Sequence, residues 1–390
     1  MSTTALTPNP GGDLSPEQVV GRDELIRRFR EILETRSLVL TAPRRMGKTS
    51  LWRRMADPAH QPAHFALRYA SLEKVPRGLP DFVQAVLEQI EGLTGGFLRR
   101  YLPFARYVEG LAGGVELKGV KLALRLPGAE WQPVLDKAFE GLQKWADEKE
   151  RIVVLVWDEL TIFLDGLVTV RGDREVTALL DFLRDAQRWP RLRLVYTGSI
   201  GLHEIIRGLQ ARGYTNDPDN KMAREVLPVL EPGGALELAG RLVASFEKES
   251  ANAADLAQHL SRISEGHPFV LQHIAERVRM ERRYTRHAAD QALEALLDND
   301  QDPLELEHYV QRMKRTLSAE DHDLALHLLD HLCLHPTGQS ITELRRLFPG
   351  DRLVEVLQWL RRDQYLDRRN ERWLFRLDCL RRFWKLHRCL

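Results

Sequence analysis

The stretch Ser37 to Thr49 constrains this chain more than any other. It reads Ser-Leu-Val-Leu-Thr, then Ala-Pro-Arg-Arg-Met-Gly-Lys-Thr. Ser37 to Thr41 is a short apolar run and predicts a buried strand. Ala42 to Met46 reads as a loop, and Thr49 to about Ala56 as a helix. A strand, a loop closing in Gly-Lys-Thr and a helix form the context that a phosphate-binding loop requires. Loop and helix N–H groups can cradle phosphates there. Gly47 allows close backbone approach, Lys48 is expected to bridge β- and γ-phosphates, and the Thr49 hydroxyl to ligate Mg²⁺. Pro43, Arg44, Arg45, Met46 and Ser50 complete the expected ATP/ADP-contacting set. The full pattern opens on glycine, and Ala42 stands at that position here, a departure from the pattern.

The second constraint is Ile152-Val-Val-Leu-Val-Trp-Asp-Glu159. An apolar run this strong predicts a strand with two acids at its end. Asp158 is expected to hold Mg²⁺, and Glu159 to polarise the attacking water or take its proton. A further strand, Leu192 to Thr197, ends in Thr197-Gly198-Ser199. A hydroxyl at that tip, Ser199 above all, can sense a γ-phosphate; the plainer reading is a turn with a helix cap before Leu202 to Leu209. Asp165 and Asp173 read as surface charges.

Strands alternating with helices predict an α/β fold, a mostly parallel sheet with helices on both faces. This core spans residues 17–231 and opens with a helix that begins at Val20 and runs to about Thr35. Residues 92–128 carry eight glycines and an alternating run around Gly119, and read as a hairpin-containing insertion. Beyond Pro232 strand signals vanish; residues 232–300 read as a helical lid, and Asp298, Asn299, Asp300, Asp302 and Pro303 mark a linker before the last unit. Residues 301–390 show helices at about Ala319 to His335, Ile341 to Leu347 and Leu353 to Arg362, then a hairpin over Tyr365 to Leu377. That order predicts a winged helix. Residues 1–16, polar with Pro8, Pro10, Gly11 and Gly12, read as a disordered tail. They lack the pattern of a secretory signal, and no apolar run approaches membrane-spanning length. The cysteines Cys333, Cys379 and Cys389 show no metal-ligand spacing, so reduced thiols in a cytoplasmic protein are expected.

Taken together, these motifs resemble the STAND branch of the AAA+-like P-loop ATPases, especially the archaeal-type ATPases and their bacterial relatives. The resemblance rests on Val20-Gly-Arg-Asp-Glu-Leu25, Ala42 to Leu51, Val153 to Glu159, Thr197-Gly-Ser199 and Gly266-His267-Pro268. It covers Val20 to roughly Arg283. It implies that Val20, Gly21 and Arg22 lie over the adenine and that His267 and Pro268, opening a lid helix, face the nucleotide. It also implies a slow ATPase switch, held closed by ADP and opened by ATP with a trigger, often into homo-oligomers. The chain carries no obvious effector domain or long repeat sensor, so a separately encoded effector or sensor protein is expected. Arg207, Arg212 and Arg224 are the candidates for an arginine finger.

Charge adds one further expectation. From Ile341 to Leu390 there are 13 Lys or Arg against 7 Asp or Glu, while the other 340 residues carry 44 against 49. A basic terminal unit suits an acidic partner. As a recognition helix, Leu353 to Arg362 could present Arg361 and Arg362 to DNA, with Arg368, Arg369 and Arg372 on the wing. Docking on protein is the alternative use. Two other functions thus stand beside the switch: a DNA-associated loader or regulator, and a nucleotide-binding scaffold that does not hydrolyse.

Overall fold

The computed structural model describes residues 4–95, 131–198, 201–246 and 252–390. The N-terminal part alternates strands and helices: α1 (Asp23–Thr35), β1 (Leu38–Thr41), α2 (Lys48–Ala56), β2 (Phe65–Ser71), α3 (Leu79–Thr94), α4 (Trp131–Glu148), β3 (Ile152–Asp158), α5 (Leu160–Arg171), α6 (Asp173–Ala186), β4 (Leu192–Gly198), α7 (Leu202–Gln210) and β5 (Ala223–Val226). The five strands form one parallel sheet in the order β2-β3-β4-β1-β5.

Side chains alternate across a strand, and β3 feeds both faces of the sheet. Val153, Leu155 and Trp157 join a core with α3 to α7, and Val154 and Val156 join a second core with α1 and α2. Burial on both faces is why β3 reads as an unbroken apolar run. The edge strand β5 is different. It is only Ala-Arg-Glu-Val, pairs with β1 alone, and was not among the expected strands. Helix α5, directly after the acidic pair, was also unanticipated.

The rest of the chain is mainly helical: α8 (Pro232–Val243), α9 (Ala253–Ile263), α10 (Pro268–Glu281), α11 (Arg286–Leu297), α12 (Glu307–Thr316), α13 (Ala319–Cys333), β6 (Gln339–Ser340), α14 (Ile341–Leu347), α15 (Arg352–Arg362), β7 (Leu366–Arg369), β8 (Arg372–Phe375) and α16 (Asp378–His387). The last three strands form an antiparallel sheet, β6-β8-β7. With α13, α14 and α15 this is the order expected of a winged helix. The β7–β8 turn runs through Asn370 and Glu371, both at positive φ, as a tight hairpin demands. Helices 232–297 and the C-terminal elements share one continuous core that includes Leu242, Leu271, Leu328, Leu357 and Trp384.

Three expectations need revision. The tail is ordered where described: Leu6 is buried, its N–H donates to Arg241 O at 2.8 Å, and Asn9 N–H donates to Gln272 Oε1 at 2.7 Å. Buried Leu6 and Pro8, with these hydrogen bonds, hold a segment whose composition looks unstructured. The connection at 298–303 is a compact turn, with Asp302 accepting from the N–H groups of Leu306 and Glu307 and with Leu304 and Leu306 buried. In the region of the expected insertion, Gly92 to Thr94 finish α3, and residues 96–130, with the expected hairpin, lie outside the described residues. No helix among the described residues is long and apolar enough to cross a membrane.

Candidate nucleotide-binding site

The loop between β1 and α2 turns through two left-handed residues, Arg45 at φ 66° and Gly47 at φ 87°. Ala42 is not one of them, so this loop does not require a glycine there. An added Cβ at Gly47 would meet nothing within 4 Å, so the need for glycine there is conformational, and the space in front stays open. Lys48 begins α2 and is only 6% exposed. Its Nζ donates to Ala42 O at 3.3 Å and lies 3.5 Å from Glu159 Oε1.

Asp158, at the end of β3, is 2% exposed and surrounded by hydroxyls. Thr49 Oγ1 donates to Oδ2 at 2.7 Å, Tyr69 OH to the same oxygen at 2.9 Å, and Thr197 Oγ1 to Oδ1 at 2.7 Å. A carboxylate beside a threonine hydroxyl is a hard-oxygen donor set, and Thr49 with Asp158 therefore fits Mg²⁺. Burial, reinforced by Asp158, raises the Tyr69 phenol far above its ordinary range, so it stays a donor. The strand order puts β4 between β3 and β1, so Thr197 reaches the acidic pair. Ser199 lies outside the described residues. Glu159 caps α5 in the left-handed region, at φ 57°. A non-glycine residue held there points to a functional constraint.

A cavity of about 450 Å³ lies over this loop. Arg44 to Ser50 and Glu159 line it on one side, and Pro268, Phe269, Gln272 and Glu305 on another. Asn9 to Leu14 form a further wall that the sequence did not reveal. Gly11 packs against Arg45 and Phe269, and Asp13 pairs with Arg53 at 2.5 Å. The Arg45 guanidinium sits 5.0 Å from the Phe269 ring centre and pairs with Glu305, whose carboxyl that hydrogen bond holds below its ordinary range.

Val20, Gly21, Arg22, Pro43 and His267 are not among the residues that line the cavity. Buried Arg22 donates to Pro228 O at 2.8 Å, Val229 O at 3.3 Å and Met46 O at 3.1 Å. Burial lowers its pKa to about 10, opposed by nearby Glu231. It thus links the N-terminal motif, the phosphate loop and the connection into α8. Gly21 crosses Gly234 so closely that a Cβ on Gly21 would lie 2.6 Å from the Gly234 Cα. Gly266, at φ 72°, leaves no room for a Cβ, which would lie 2.4 Å from Leu230 O. His267 caps α10, accepting from Val270 N–H, and burial beside Arg22 and His308 lowers its pKa to about 4.

The remaining arginine candidates are engaged elsewhere. Arg207 pairs with Glu204, Arg212 with Asp173, and Arg224 with Asp219 and Asp217. On the hairpin, Arg368 pairs with Glu371 and Arg369 with Asp367, while Arg372 donates to Gly338 O. Arg361 and Arg362 face β5 and α7 across a cleft.

No family model matches the sequence, and a search of curated proteins finds no match. Among solved structures, the Walker-type ATPase PABY2304 of Pyrococcus abyssi superposes with a TM-score of 0.63 at 17% identity, over 96% of this chain and 99% of that one. The Cdc6p structure from Pyrobaculum aerophilum matches with a TM-score of 0.42 at 12% identity, over 94% of each chain. The RuvB motor of Thermotoga maritima matches at 0.38 and 14%, over 91% of this chain and 92% of that one. The first likeness extends across nearly the whole of both chains. This chain has the fold of a P-loop ATPase.

Proposed function

We propose that the chain is an ATP-binding and hydrolysing switch whose nucleotide state alters how the lid and C-terminal unit sit on the core. The observation that carries this reading is the make-up of the cavity. Its walls come from the phosphate loop, the N-terminal segment, the lid helix α10 and the connection before α12. Arg45, on the phosphate loop, is paired with Glu305 on that connection. A phosphate group in the cavity would compete with Glu305 for Arg45 and loosen one of the ties between the core and the C-terminal unit.

Within the site, Lys48 would meet the β- and γ-phosphates and leave its present contact with Glu159. Thr49 and Asp158 would hold Mg²⁺, which would neutralise phosphate charge. Tyr69 and Thr197 keep Asp158 oriented by donating to it. Freed from Lys48, Glu159 would polarise a water for attack on the γ-phosphate. His267 and Pro268 would communicate occupancy to the lid through Arg22. Homo-oligomer formation and a separately encoded partner belong to the same reading.

Light scattering and limited proteolysis with ADP, then with a non-hydrolysable ATP analogue, test it. The ADP form should be compact and largely monomeric. The ATP-like form should expose cleavage sites around Asp298 to Pro303 and self-associate. A ligand shifts such an equilibrium only through different affinity for the two arrangements. Identical mass and identical fragments in both states would leave a plain ATPase.

A DNA-associated ATPase is the second reading, favoured by the excess of basic residues after Ile341. It requires the C-terminal unit to swing away from the core, because Arg361 and Arg362 face it and the hairpin arginines have protein partners. Absence of a duplex DNA shift at low salt would end it.

A further inference from the structure

The cleft between the sheet edge and the C-terminal unit has a volume of about 620 Å³, within the range of small-molecule sites. Its charges are not balanced. On the acidic side, Asp219 is paired with Arg224, Glu225 with Arg28, and Asp367 with Arg369. The guanidinium groups of Arg361, Arg362 and Arg376 also line the cleft, and none of them makes an ion pair or hydrogen bond among the described residues, although Asp367 is near enough to favour the charge on Arg376. Three guanidinium groups are thus left facing one space from the end of α15 and the end of β8. Guanidinium forks suit phosphoryl oxygens, which they bind in bidentate fashion.

A second observation lies in the wall of the same cleft. Gln364 lines the cleft while only 4% exposed, and its Oε1 has no partner. A buried amide oxygen without a donor is costly, and a ligand N–H or O–H would satisfy it. The cleft therefore offers cations for a polyanionic end and a buried acceptor for a polar end.

We propose that this cleft is a second ligand site, taking a phosphorylated small molecule that bridges the ATPase sheet edge and the C-terminal unit. The site is separate from the phosphate-loop cavity and does not depend on ATP hydrolysis. A ligand held there would fasten α15 to the region of β5 and α7. Duplex DNA is the rival occupant of these arginines, but the cleft faces the chain's own core and its volume suits a small ligand.

Isothermal titration with inorganic pyrophosphate on the full chain tests this. The wild type should show two sites. Arg361→Gln with Arg362→Gln should weaken one of them by about ten-fold or more per arginine and leave the other, as expected for lost charge-assisted hydrogen bonds. Lys48→Ala should remove the other site alone, so failure of the phosphate-loop reading is seen separately. Gln358→Glu, an exposed change in the same cleft, should weaken the same site by repulsion and guards against misfolding of the double variant. The proposal is overturned if Lys48→Ala abolishes all pyrophosphate binding. It is equally overturned if the cleft variants keep wild-type stoichiometry and affinity, or if they lose only duplex DNA binding.

Discussion

At the scale of single residues, the charged chemistry was legible and its support was not. Gly47, Lys48, Thr49, Asp158 and Glu159 stand in local strings whose strand and helix context can be read directly. Tyr69 could not be read that way, because a polar residue in a strand looks like a surface position until the fold brings Asp158 within 2.9 Å. Lys48→Ala is expected to abolish ATP binding in calorimetry, since the phosphates lose their main cation. Glu159→Gln should retain binding and slow hydrolysis by about 10²-fold, measured as phosphate release. His267 and His308 supply a pH signature, because burial lowers both to about 4. Unfolded histidine titrates near 6.5, so between roughly pH 6.5 and 4 the unfolded chain binds protons that the folded chain refuses. Stability should therefore fall as pH falls through that window. Urea melts from pH 6.5 to 5, above the main carboxylate range, should show a shallower decline in His267→Asn with His308→Gln.

At the scale of elements, length and burial decided what could be anticipated. The seven-residue β3 is buried on both faces and announces itself. The four-residue β5 interleaves Arg224 and Glu225 with two small apolar residues, which is how charged, short edge strands look. The Gly-His-Pro string was visible, but the physical need for Gly266 lies in a contact with Leu230 more than thirty residues earlier in the chain. Gly266→Ala should cost at least about 1–2 kcal/mol from the left-handed backbone alone. The clash with Leu230 O adds to that and should loosen α10 from the core, seen as faster amide exchange in α10. Gly234→Ala is the matching test at α8, where the crossing with Gly21 leaves no space for a methyl group.

At the scale of the whole molecule, the helical and C-terminal parts read as two units in sequence yet share one apolar core. Periodicity identifies which face of a helix is apolar but not which neighbour covers it. Leu271→Ala in α10 and Leu328→Ala in α13 should therefore lower the same urea transition, each by about 2–5 kcal/mol. The tie between this body and the ATPase core includes a buried cluster, with Arg312 donating to Asp363 at 2.6 Å close to Glu204 and His203. Arg312→Ala would strand a buried carboxylate and should cost about 3–5 kcal/mol, read in the same melts. The wall formed by Asn9 to Leu14 has a practical corollary for anyone who handles this protein. Those residues are a few positions from Met1, and they touch the compartment that the phosphates would occupy. A purification handle fused ahead of Met1 joins the chain near that wall, and one fused after Leu390 joins it at the C-terminal unit. Nucleotide exchange rates measured with the two fusions should differ, and the untagged chain is the proper reference for both.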